Sequence, residues 1–336
     1  MVGLSDPELT EHEAELYDRQ IRLWGLESQK RLRAARILIA GVSGLGAEIA
    51  KNIILAGVKS VVLLDDAVVS EADRCSQFLA PTTALGSNRA EACLQRARAL
   101  NPMVEIRADT KSANVSAENY VGDDYFSEFD VVVVTGLPTR SLVAINEICR
   151  EKRIKFFAGD VWGMFGYTFA DLQEHEFVED VFKHKVVSKP NEKLKTELVT
   201  TTAKRTLSFP PLKTVLDFDV KSPAFIKKLK RTGPAFLILR ILQAYRDEFN
   251  SDPDYKKRAE AMKDLLRIRD QIAPNIVGDN AFGHVFAQIS PAAAVVGGEL
   301  AQEIIKTVSQ KEAPHHNVFL FDPETCCGFV ESIEGN

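Results

Sequence analysis

Short apolar runs alternate with longer amphipathic segments through the first half of the chain. Five runs predict strands: Arg36 to Ala40, Val61 to Asp65, Val104 to Ala108, Val131 to Thr135 and Lys155 to Ala158. The segments between them have apolar residues at helical spacing, as in Ser87 to Leu100 and Ser141 to Lys152. Strands that alternate with helices predict an α/β fold with a doubly wound, mostly parallel sheet.

The pattern changes after Leu172. The stretch from Lys183 to Arg205 is polar and weakly periodic, which is typical of an inserted linker, and two amphipathic helices are predicted after it, Pro234 to Phe249 and Asp254 to Asp270. We therefore predict a Rossmann-like domain over residues 1–175, an inserted basic linker and helical domain over 176–285, and a return to the first domain's core over 286–336.

The last segment contains a predicted helix, Pro291 to Ser309, and a predicted strand, Val318 to Phe321. Gly297 and Gly298 lie inside that helix, where each glycine costs roughly 1 kcal/mol relative to alanine. Such a cost is tolerable where another backbone packs closely. We therefore expect this helix to dock onto the first domain.

Composition indicates an ordinary globular chain of 336 residues, with 45% hydrophobic and 26% charged residues. The net charge of -5 gives no general attraction for nucleic acid or anionic membranes. The polar, acidic N-terminal segment lacks the features of a signal peptide, and no apolar run reaches membrane-spanning length. These observations predict a protein of the cytosol or nucleus.

Five cysteines are scattered along the chain without a Cys-x-x-Cys pair or a matching histidine spacing: Cys75, Cys93, Cys149, Cys326 and Cys327. This pattern indicates neither a zinc site nor a disulfide framework. We expect most of them to be buried small apolar side chains.

A glycine-rich turn follows the first predicted strand and opens a helix, an arrangement that holds phosphate in nucleotide-binding domains. Its glycines are Gly41, Gly44 and Gly46, but Ser43 replaces the glycine that lets the backbone approach a pyrophosphate. Asp65, at the end of the next strand, occupies the position of a residue that holds ribose hydroxyls. A nicotinamide-dependent oxidoreductase is one interpretation, although no evident His–Asp pair accompanies the turn.

A wider set of motifs is more specific than the turn. Besides the glycines and Asp65, it comprises Tyr17-Asp18-Arg19-Gln20-Ile21-Arg22, Gln77-Phe78-Leu79 and Arg89-Ala90. Together these motifs resemble the adenylating domain of the ubiquitin-like-protein activating enzymes, over nearly the whole chain. Two further stretches resemble the non-thioester subunits in the SUMO branch of that family: Gly159 to Phe169 and Val295 to Ile304.

The resemblance implies a Rossmann-like adenylation fold that uses ATP and Mg²⁺ to activate a modifier's C-terminal glycine. Active members carry an Asn and an Arg where this chain has Cys75 and Ser76, a Lys at Arg89 and a magnesium-binding Asp at Leu137. Losing these groups together should abolish phosphate chemistry. We therefore expect an inactive half, a relic nucleotide site at Gly41, Gly44, Gly46 and Asp65 with no metal ligand. ATP and Mg²⁺ would be bound mainly by a partner subunit.

The family's second step places the acyl group on a cysteine in an inserted domain. No cysteine occurs between Cys149 and Cys326, so the insertion cannot form the thioester. Arg19 remains as the candidate catalytic residue, because the family's equivalent arginine reaches into the partner's ATP site. The alternative is that Arg19 belongs to a solvated helix face, where a charge contributes about 0 to 1 kcal/mol.

The implied partners are a large cysteine-bearing subunit in an obligate heterodimer, SUMO itself and, transiently, a conjugating enzyme. Ile21, Leu23, Trp24 and the helix from Val295 to Ile304 are candidates for the subunit interface, with ordinary core packing as the alternative. The resemblance implies a nuclear protein with some cytoplasmic presence. The basic cluster Lys227 to Arg231 is either an import signal or a solvated helix face.

Two further interpretations stay open within the same fold. A regulatory subunit for another ubiquitin-like modifier would share the lost phosphate ligands. A homodimeric adenylating enzyme of the sulfur-carrier type should instead keep the Asn, Arg and Asp, and commonly a Cys-x-x-Cys pair.

Overall fold

The computed structural model describes residues 10–186, 196–222, 225–227, 229 and 233–334. Its strands lie at these positions: β1 Arg36–Ala40, β2 Ser60–Leu64, β3 Glu105–Asp109, β4 Val131–Thr135, β5 Lys155–Trp162, β6 Phe165–Asp171, β7 Glu174–Val186, β8 Thr196–Ser208, β9 Val318–Asp322 and β10 Cys327–Glu331.

The helices were numbered in chain order. They are α1 Glu11–Leu16, α2 Asp18–Trp24, α3 Leu26–Ala34, α4 Gly44–Ala56, α5 Arg89–Leu100, α6 Thr139–Glu151, α7 Leu212–Leu216, α8 Ala235–Phe249, α9 Arg258–Ile272 and α10 Ser290–Ser309. No helix within the described ranges combines the length and apolarity needed to cross a bilayer.

Eight strands form one sheet in the order β10-β9-β6-β5-β4-β1-β2-β3. Strands β3, β2, β1, β4 and β5 are parallel, and β6, β9 and β10 extend the sheet in antiparallel fashion. The predicted α/β, doubly wound and mostly parallel sheet is therefore confirmed, since helices cover both faces. Each predicted parallel strand is present within one residue at its start.

Side chains that alternate along β1 enter two separate apolar cores, because successive residues of a strand point to opposite faces. Leu38 lies in one core with residues of α6, α8 and α9. Ile37 and Ile39 lie in the other with residues of α3, α4, α5 and α10. Helices α8 and α9, which belong to the predicted insertion, thus complete one of the cores that the sheet requires.

The prediction of a linker between Lys183 and Arg205 is wrong for the described residues. Strands β7 and β8 pair antiparallel from Glu174 opposite Ser208 to Val186 opposite Thr196, and residues 187–195 lie outside the described ranges. Runs of β-branched residues such as Thr200 to Thr202 favour strands over flexible chain. The boundaries at residues 175 and 285 stay a prediction.

Helix α10 docks on α4, as its predicted role requires. A Cβ built at Gly297 would lie 2.6 Å from the Cβ of Glu48 and 3.5 Å from the backbone nitrogen of Ile49. Gly298, one residue later, has no heavy atom within 4 Å of a built Cβ. Gly297 is therefore the position at which the two helices need the absence of a side chain.

These two glycines provide a matched test of the helix contact. We expect Gly297→Ala to lower the free energy of unfolding by about 1 to 3 kcal/mol, because overpacking forces the helices apart. Gly298→Ala should raise it by up to about 1 kcal/mol, because alanine is the better helix former and meets open space. Urea denaturation of both variants measures the two signs, and equal effects would contradict the assigned contact.

Candidate functional site

The structure brings the glycines of the turn together at the carboxyl edge of the parallel strands, between β1 and α4. Gly41 has a φ of 92°, and a Cβ there would lie 2.4 Å from the carbonyl oxygen of Thr135. A Cβ at Gly46 would lie 2.0 Å from the carbonyl oxygen of Gly41. Only glycine fits at both positions, because the first has a left-handed backbone and the second a very close contact. The turn therefore keeps the backbone form of a phosphate loop.

Asp65 lies beside this turn and is nearly fully buried. Its Oδ2 accepts a hydrogen bond of 2.7 Å from the backbone N–H of Val42 and one of 2.9 Å from Nε of Arg89. Its Oδ1 accepts from the backbone N–H of Ala67 at 2.9 Å and from Nη2 of Arg89 at 3.3 Å. Both oxygens are occupied within the chain, so Asp65 could take a ribose hydroxyl only by giving up a present partner.

Arg89 bridges Asp65 to a second buried carboxylate. Its Nη1 donates to Oδ1 of Asp73 at 2.9 Å. Burial acts to lower the pKa of the Arg89 guanidinium, but the charges of Asp65 and Asp73 outweigh it and raise that pKa. The guanidinium at the position of the family's lysine is thus neutralised by two carboxylates instead of being available to phosphate.

Side chains also occupy the space in front of the glycine turn. A Cβ at Gly44 would lie 2.0 Å from Oγ of Ser76 and 2.9 Å from Oε1 of Gln288. The N–H of Leu45, at the start of α4, donates to that Gln288 oxygen at 3.1 Å. In a phosphate site this N–H would face the ligand. Ser76 and Gln288 therefore fill the cradle, and the residues present do not fit a nucleoside triphosphate.

A cavity of about 760 Å³ opens beside the filled cradle. Its charged lining residues are predominantly acidic, with two cations against six carboxylates: Arg89, Lys257, Asp73, Asp160, Asp252, Asp254, Glu260 and Asp264. A concentration of negative charge repels polyphosphate. The negative charge of the cavity and the filled cradle therefore both disfavour the binding of a nucleoside triphosphate.

Arg246, on α8, is buried against the end of β5 and was not singled out by sequence reasoning. Its Nη1 donates to Oδ2 of Asp160 at 2.6 Å, while its Nε and Nη2 donate to Asp252 at 2.8 and 3.0 Å. The guanidinium also lies 4.7 Å from the ring centre of Trp162, whose Nε1 donates to Asp252. The motif Gly159 to Gly163, which sequence analysis did single out, supplies two of these contacts, Asp160 and Trp162.

The environment of Asp160 combines opposing effects. Burial raises the pKa of its carboxyl to about 6, although the charge and hydrogen bond of Arg246 act to lower that pKa. The backbone N–H of Gly136 donates to its other oxygen at 2.7 Å. Asp160 is thus fully engaged in holding β4, β5 and α8 together.

Leu137 and Cys75 stand at positions where the resemblance implies ligands for magnesium and for the triphosphate. Leu137 is half-buried and packs against the apolar core beside α6, with no oxygen to offer magnesium from its side chain. Cys75 is exposed at the end of a short 3₁₀ turn next to Ser76. Neither side chain carries the carboxylate or the amide that the resemblance implies at these positions.

The prediction that most cysteines are buried is wrong. Cys93 and Cys149 are buried, but Cys75, Cys326 and Cys327 are exposed: Cys326 lies in the turn after β9, and Cys327 is the first residue of β10. Burial raises the pKa of the Cys93 thiol to about 12 and also raises that of Cys149. The two buried thiols are therefore poor nucleophiles.

Arg19 lies on α2, and Tyr17 and Gln20 of its motif anchor that helix. Tyr17 is buried, its hydroxyl accepts from Nδ2 of Asn101 at 2.9 Å, and its ring covers Gly57 so closely that a Cβ there would collide. Nε2 of Gln20 donates to the carbonyl oxygen of Leu55 at 3.1 Å. Arg19 itself is exposed and forms no hydrogen bond or ion pair with any residue that the structure describes.

Exposed apolar side chains lie on the helices near Arg19. Leu23 of α2 is 72% exposed, and Leu16, Leu26 and Leu55 are also exposed, as is Val295 on α10. Ile21 and Trp24 are half-buried, and Trp24 packs against the core that contains α4. Exposed apolar groups of this kind are typical of a surface that binds another protein.

One cluster of potential metal ligands lies away from the turn and was missed from the sequence. Glu299 and Glu303 of α10 and His315 place one ligand atom each within 4.8 Å of one another. Nζ of Lys306 donates to Glu303 at 2.7 Å, so the buried carboxylate already has a cationic partner. We interpret the cluster as a network of ion pairs.

The ThiF family profile matches residues 17–331. The chain belongs to the ThiF family. Proteins called SUMO-activating enzyme subunit 1 are similar to this ThiF-family chain along its length: the Xenopus laevis protein is 43% identical and covers 99% of both chains, and the Homo sapiens protein is 43% identical over 97% of this chain and 96% of its own. The Rattus norvegicus protein is 44% identical over 97% and 95%.

Solved structures support the fold of the ThiF-family chain at much lower identity. A crystal structure of PaaA matches 97% of this chain and 84% of its own with a TM-score of 0.59 at 15% identity. Escherichia coli MccB with succinimide matches 95% and 71% with a TM-score of 0.54 at 12% identity. These similarities concern the fold alone.

The buried Arg246 of this ThiF-family chain allows a test of what the site is built to do. We expect Arg246→Met to lower the free energy of unfolding by about 3 to 5 kcal/mol, because the Asp160 charge is left unpaired in the interior. Adding Asp160→Asn should recover part of the loss, because no buried charge then remains. Urea denaturation of wild type and both variants at pH 8 measures these differences.

The same variant has a predicted pH dependence. Without Arg246 the folded-state pKa of Asp160 lies still further above its unfolded value, so the folded state binds the proton more tightly. Stability is then present at low pH and lost as the pH rises through the folded pKa. The loss caused by Arg246→Met should be smaller at pH 5 than at pH 8, and a loss independent of pH would contradict this assignment.

Proposed function

We propose that the chain is the non-thioester subunit of a heterodimeric SUMO-activating enzyme. It would complete the ATP-dependent adenylation of the SUMO C-terminal glycine in the active site of its partner. The observation that carries this proposal is the identity of 43–44% over nearly the full length of proteins called SUMO-activating enzyme subunit 1. Retention of Arg19 in a chain whose own cradle is filled supports it.

The relic site explains why such a chain needs a partner. Ser76 and Gln288 occupy the position of the phosphates, and the carboxylates of Asp65 and Asp73 neutralise Arg89. Phosphoryl and adenylyl transfer depend on cations that are placed against the phosphate oxygens. We expect ATP and Mg²⁺ to be held by the partner subunit, with no turnover at the turn of this chain.

Arg19 has the chemistry and the position for a contribution in trans. As the carboxylate attacks the α-phosphate and pyrophosphate leaves, charge develops on phosphate oxygens that a guanidinium fork can stabilise. The anchors at Tyr17 and Gln20 fix α2 against α4 and the end of α5, while the exposed Arg19 side chain has no partner among the described residues and can reach outward. Anchored backbone with a free charged end is the arrangement expected of an arginine finger.

The thioester step belongs to the partner in this proposal. The described residues of the segment between Cys149 and Cys326 contain no thiol, and burial raises the pKa of Cys149 itself. SUMO adenylate formed at the partner's site would therefore transfer to a cysteine of that partner. A conjugating enzyme would meet the complex only after this transfer.

The exposed apolar residues on α2, α3, α4 and α10 are the proposed contact surface for the partner. Obligate interfaces are large and apolar, and Leu23 and Val295 would otherwise remain in water. We further propose a nuclear location with some cytoplasmic protein. Of the basic cluster from Lys227 to Arg231, residues 228, 230 and 231 lie outside the described ranges.

Pyrophosphate exchange tests the division of labour. We expect no SUMO-dependent ATP:pyrophosphate exchange from this chain alone, little from the cysteine-bearing subunit alone and rapid exchange from the mixture. Replacing SUMO with another ubiquitin-like modifier should abolish exchange. Exchange by this chain alone would contradict the relic site, and exchange only with another modifier would favour the regulatory subunit of a different pathway.

Arg19→Ala tests the arginine finger, and Arg22→Ala is its matched control. Arg22 lies on the same helix and is also exposed, but it pairs with Asp18 at 3.0 Å. We expect Arg19→Ala to slow adenylate formation about 100-fold or more while leaving heterodimer assembly intact, because a phosphate-neutralising charge is lost. Arg22→Ala should change the rate less than about threefold on the same scale. Equal rates in the two variants would exclude the assigned role.

A further inference from the structure

A second cleft lies at the opposite edge of the sheet from the glycine turn. It has a volume of about 760 Å³ and is bounded by the starts of β1, β4 and β5, the end of α3 and the end of α10. This volume lies within the range of small-molecule sites. The cleft takes no part in the adenylation proposed above.

The charge of this cleft is the reverse of that beside the turn. Five basic residues line it against one acidic residue: Arg31, Arg36, Lys152, Arg153, Lys155 and Asp130. Asp130 is already used, because it accepts from Nε and Nη2 of Arg36 at 3.1 and 2.9 Å. Lys152 pairs with Asp124 at 2.9 Å, so the local positive charge comes from Arg31, Arg153 and Lys155, although the whole chain is acidic.

Three of these cations have no carboxylate partner among the described residues. Nη1 of Arg31 donates to the carbonyl oxygen of Ser309 at 2.6 Å, and Nζ of Lys155 donates to the carbonyl oxygens of Leu172 and Glu174. Arg153 is exposed and forms no hydrogen bond or ion pair with the described part of the chain. Carbonyl contacts position Arg31 and Lys155 without neutralising them.

Two further features distinguish the cleft from a general basic surface. The hydroxyl of Thr307, a residue that is only 4% exposed, belongs to the wall of the cleft and has no hydrogen-bond partner among the described residues. A buried hydroxyl without a partner is costly. Burial also lowers the pKa of the Lys155 ammonium, a cost that a bound anion would relieve.

We propose that this cleft binds a compact polyanion carrying several phosphate groups. Guanidinium groups from α3 and the loop after α6 and an ammonium group from β5 approach it from separate elements, and guanidinium forks match phosphate oxygens. Several unpaired cations around one cleft fit closely spaced phosphates better than the carboxylates of an acidic peptide. The cleft would thus be a second ligand site, separate from the relic turn.

Inorganic tripolyphosphate is the probe for this site. Its binding would be measured by calorimetry with the full chain alone and in complex with the cysteine-bearing subunit, whose nucleotide site is filled with a non-hydrolysable ATP analogue. We expect saturable binding that weakens at least tenfold in Arg31→Gln/Arg153→Gly. The matched control is Arg140→Gln, which removes an exposed cation outside the cleft and should leave the affinity within about twofold.

The single variant Arg153→Gly tests the cleft with little risk that a loss of binding comes from misfolding. Arg153 has a φ of 57°, a left-handed conformation that glycine adopts freely, so this variant should be at least as stable as wild type. We expect it to weaken tripolyphosphate binding at least threefold. The proposal would be overturned if tripolyphosphate did not bind, or if Arg140→Gln weakened its binding equally. It would also be overturned if a hexaglutamate peptide bound more tightly than tripolyphosphate, because the cleft would then be a docking surface for acidic protein segments.

Discussion

The buried guanidinium of Arg246 is the contact on which the arrangement of the site depends. It joins α8 to the end of β5 through Asp160 and to the following loop through Asp252, with Trp162 stacked against it. Asp160 in turn accepts the N–H of Gly136 at the end of β4. A single cation thus holds the inserted helices over the carboxyl edge of the sheet, and because Arg246 and Asp160 are both buried, removing either one leaves an unpaired charge in the interior.

The backbone of the glycine turn and the side chains that surround it are separable features of this chain. The backbone at Gly41 and Gly46 is retained because the strand-to-helix turn cannot be closed otherwise. The side chains around it have diverged: Ser76 and Gln288 fill the cradle, and Arg89 is held by two carboxylates. The fold of the turn is therefore enough to require these glycines, whatever the side chains around them do.

The sequence predicted those features that depend on local periodicity. Strands β1 and β4 were predicted at their observed bounds, and α10 within one residue, because buried apolar runs and helical spacing are properties of short segments. The pairing of Arg246 with Asp160 spans 86 residues, so the motif Gly159 to Gly163 contains Asp160 but local periodicity does not show which cation it pairs with. The β7–β8 pairing was missed because the many charged residues of the segment obscure the alternation of β7, in which His175 and Phe177 are buried beside the exposed Glu174 and Glu176. Gln288 reaches the turn from 243 residues away, a contact that local patterns do not reveal.

The anchored α2 has a thermodynamic consequence for assembly. If Arg19 contacts phosphate only when both subunits are joined, then nucleotide and partner must influence each other's binding equally. If ATP binds more tightly to the heterodimer than to the isolated cysteine-bearing subunit, ATP raises the affinity between the two subunits by the same factor. A one-residue contact across the interface would therefore couple the affinity between the two subunits to the concentration of ATP.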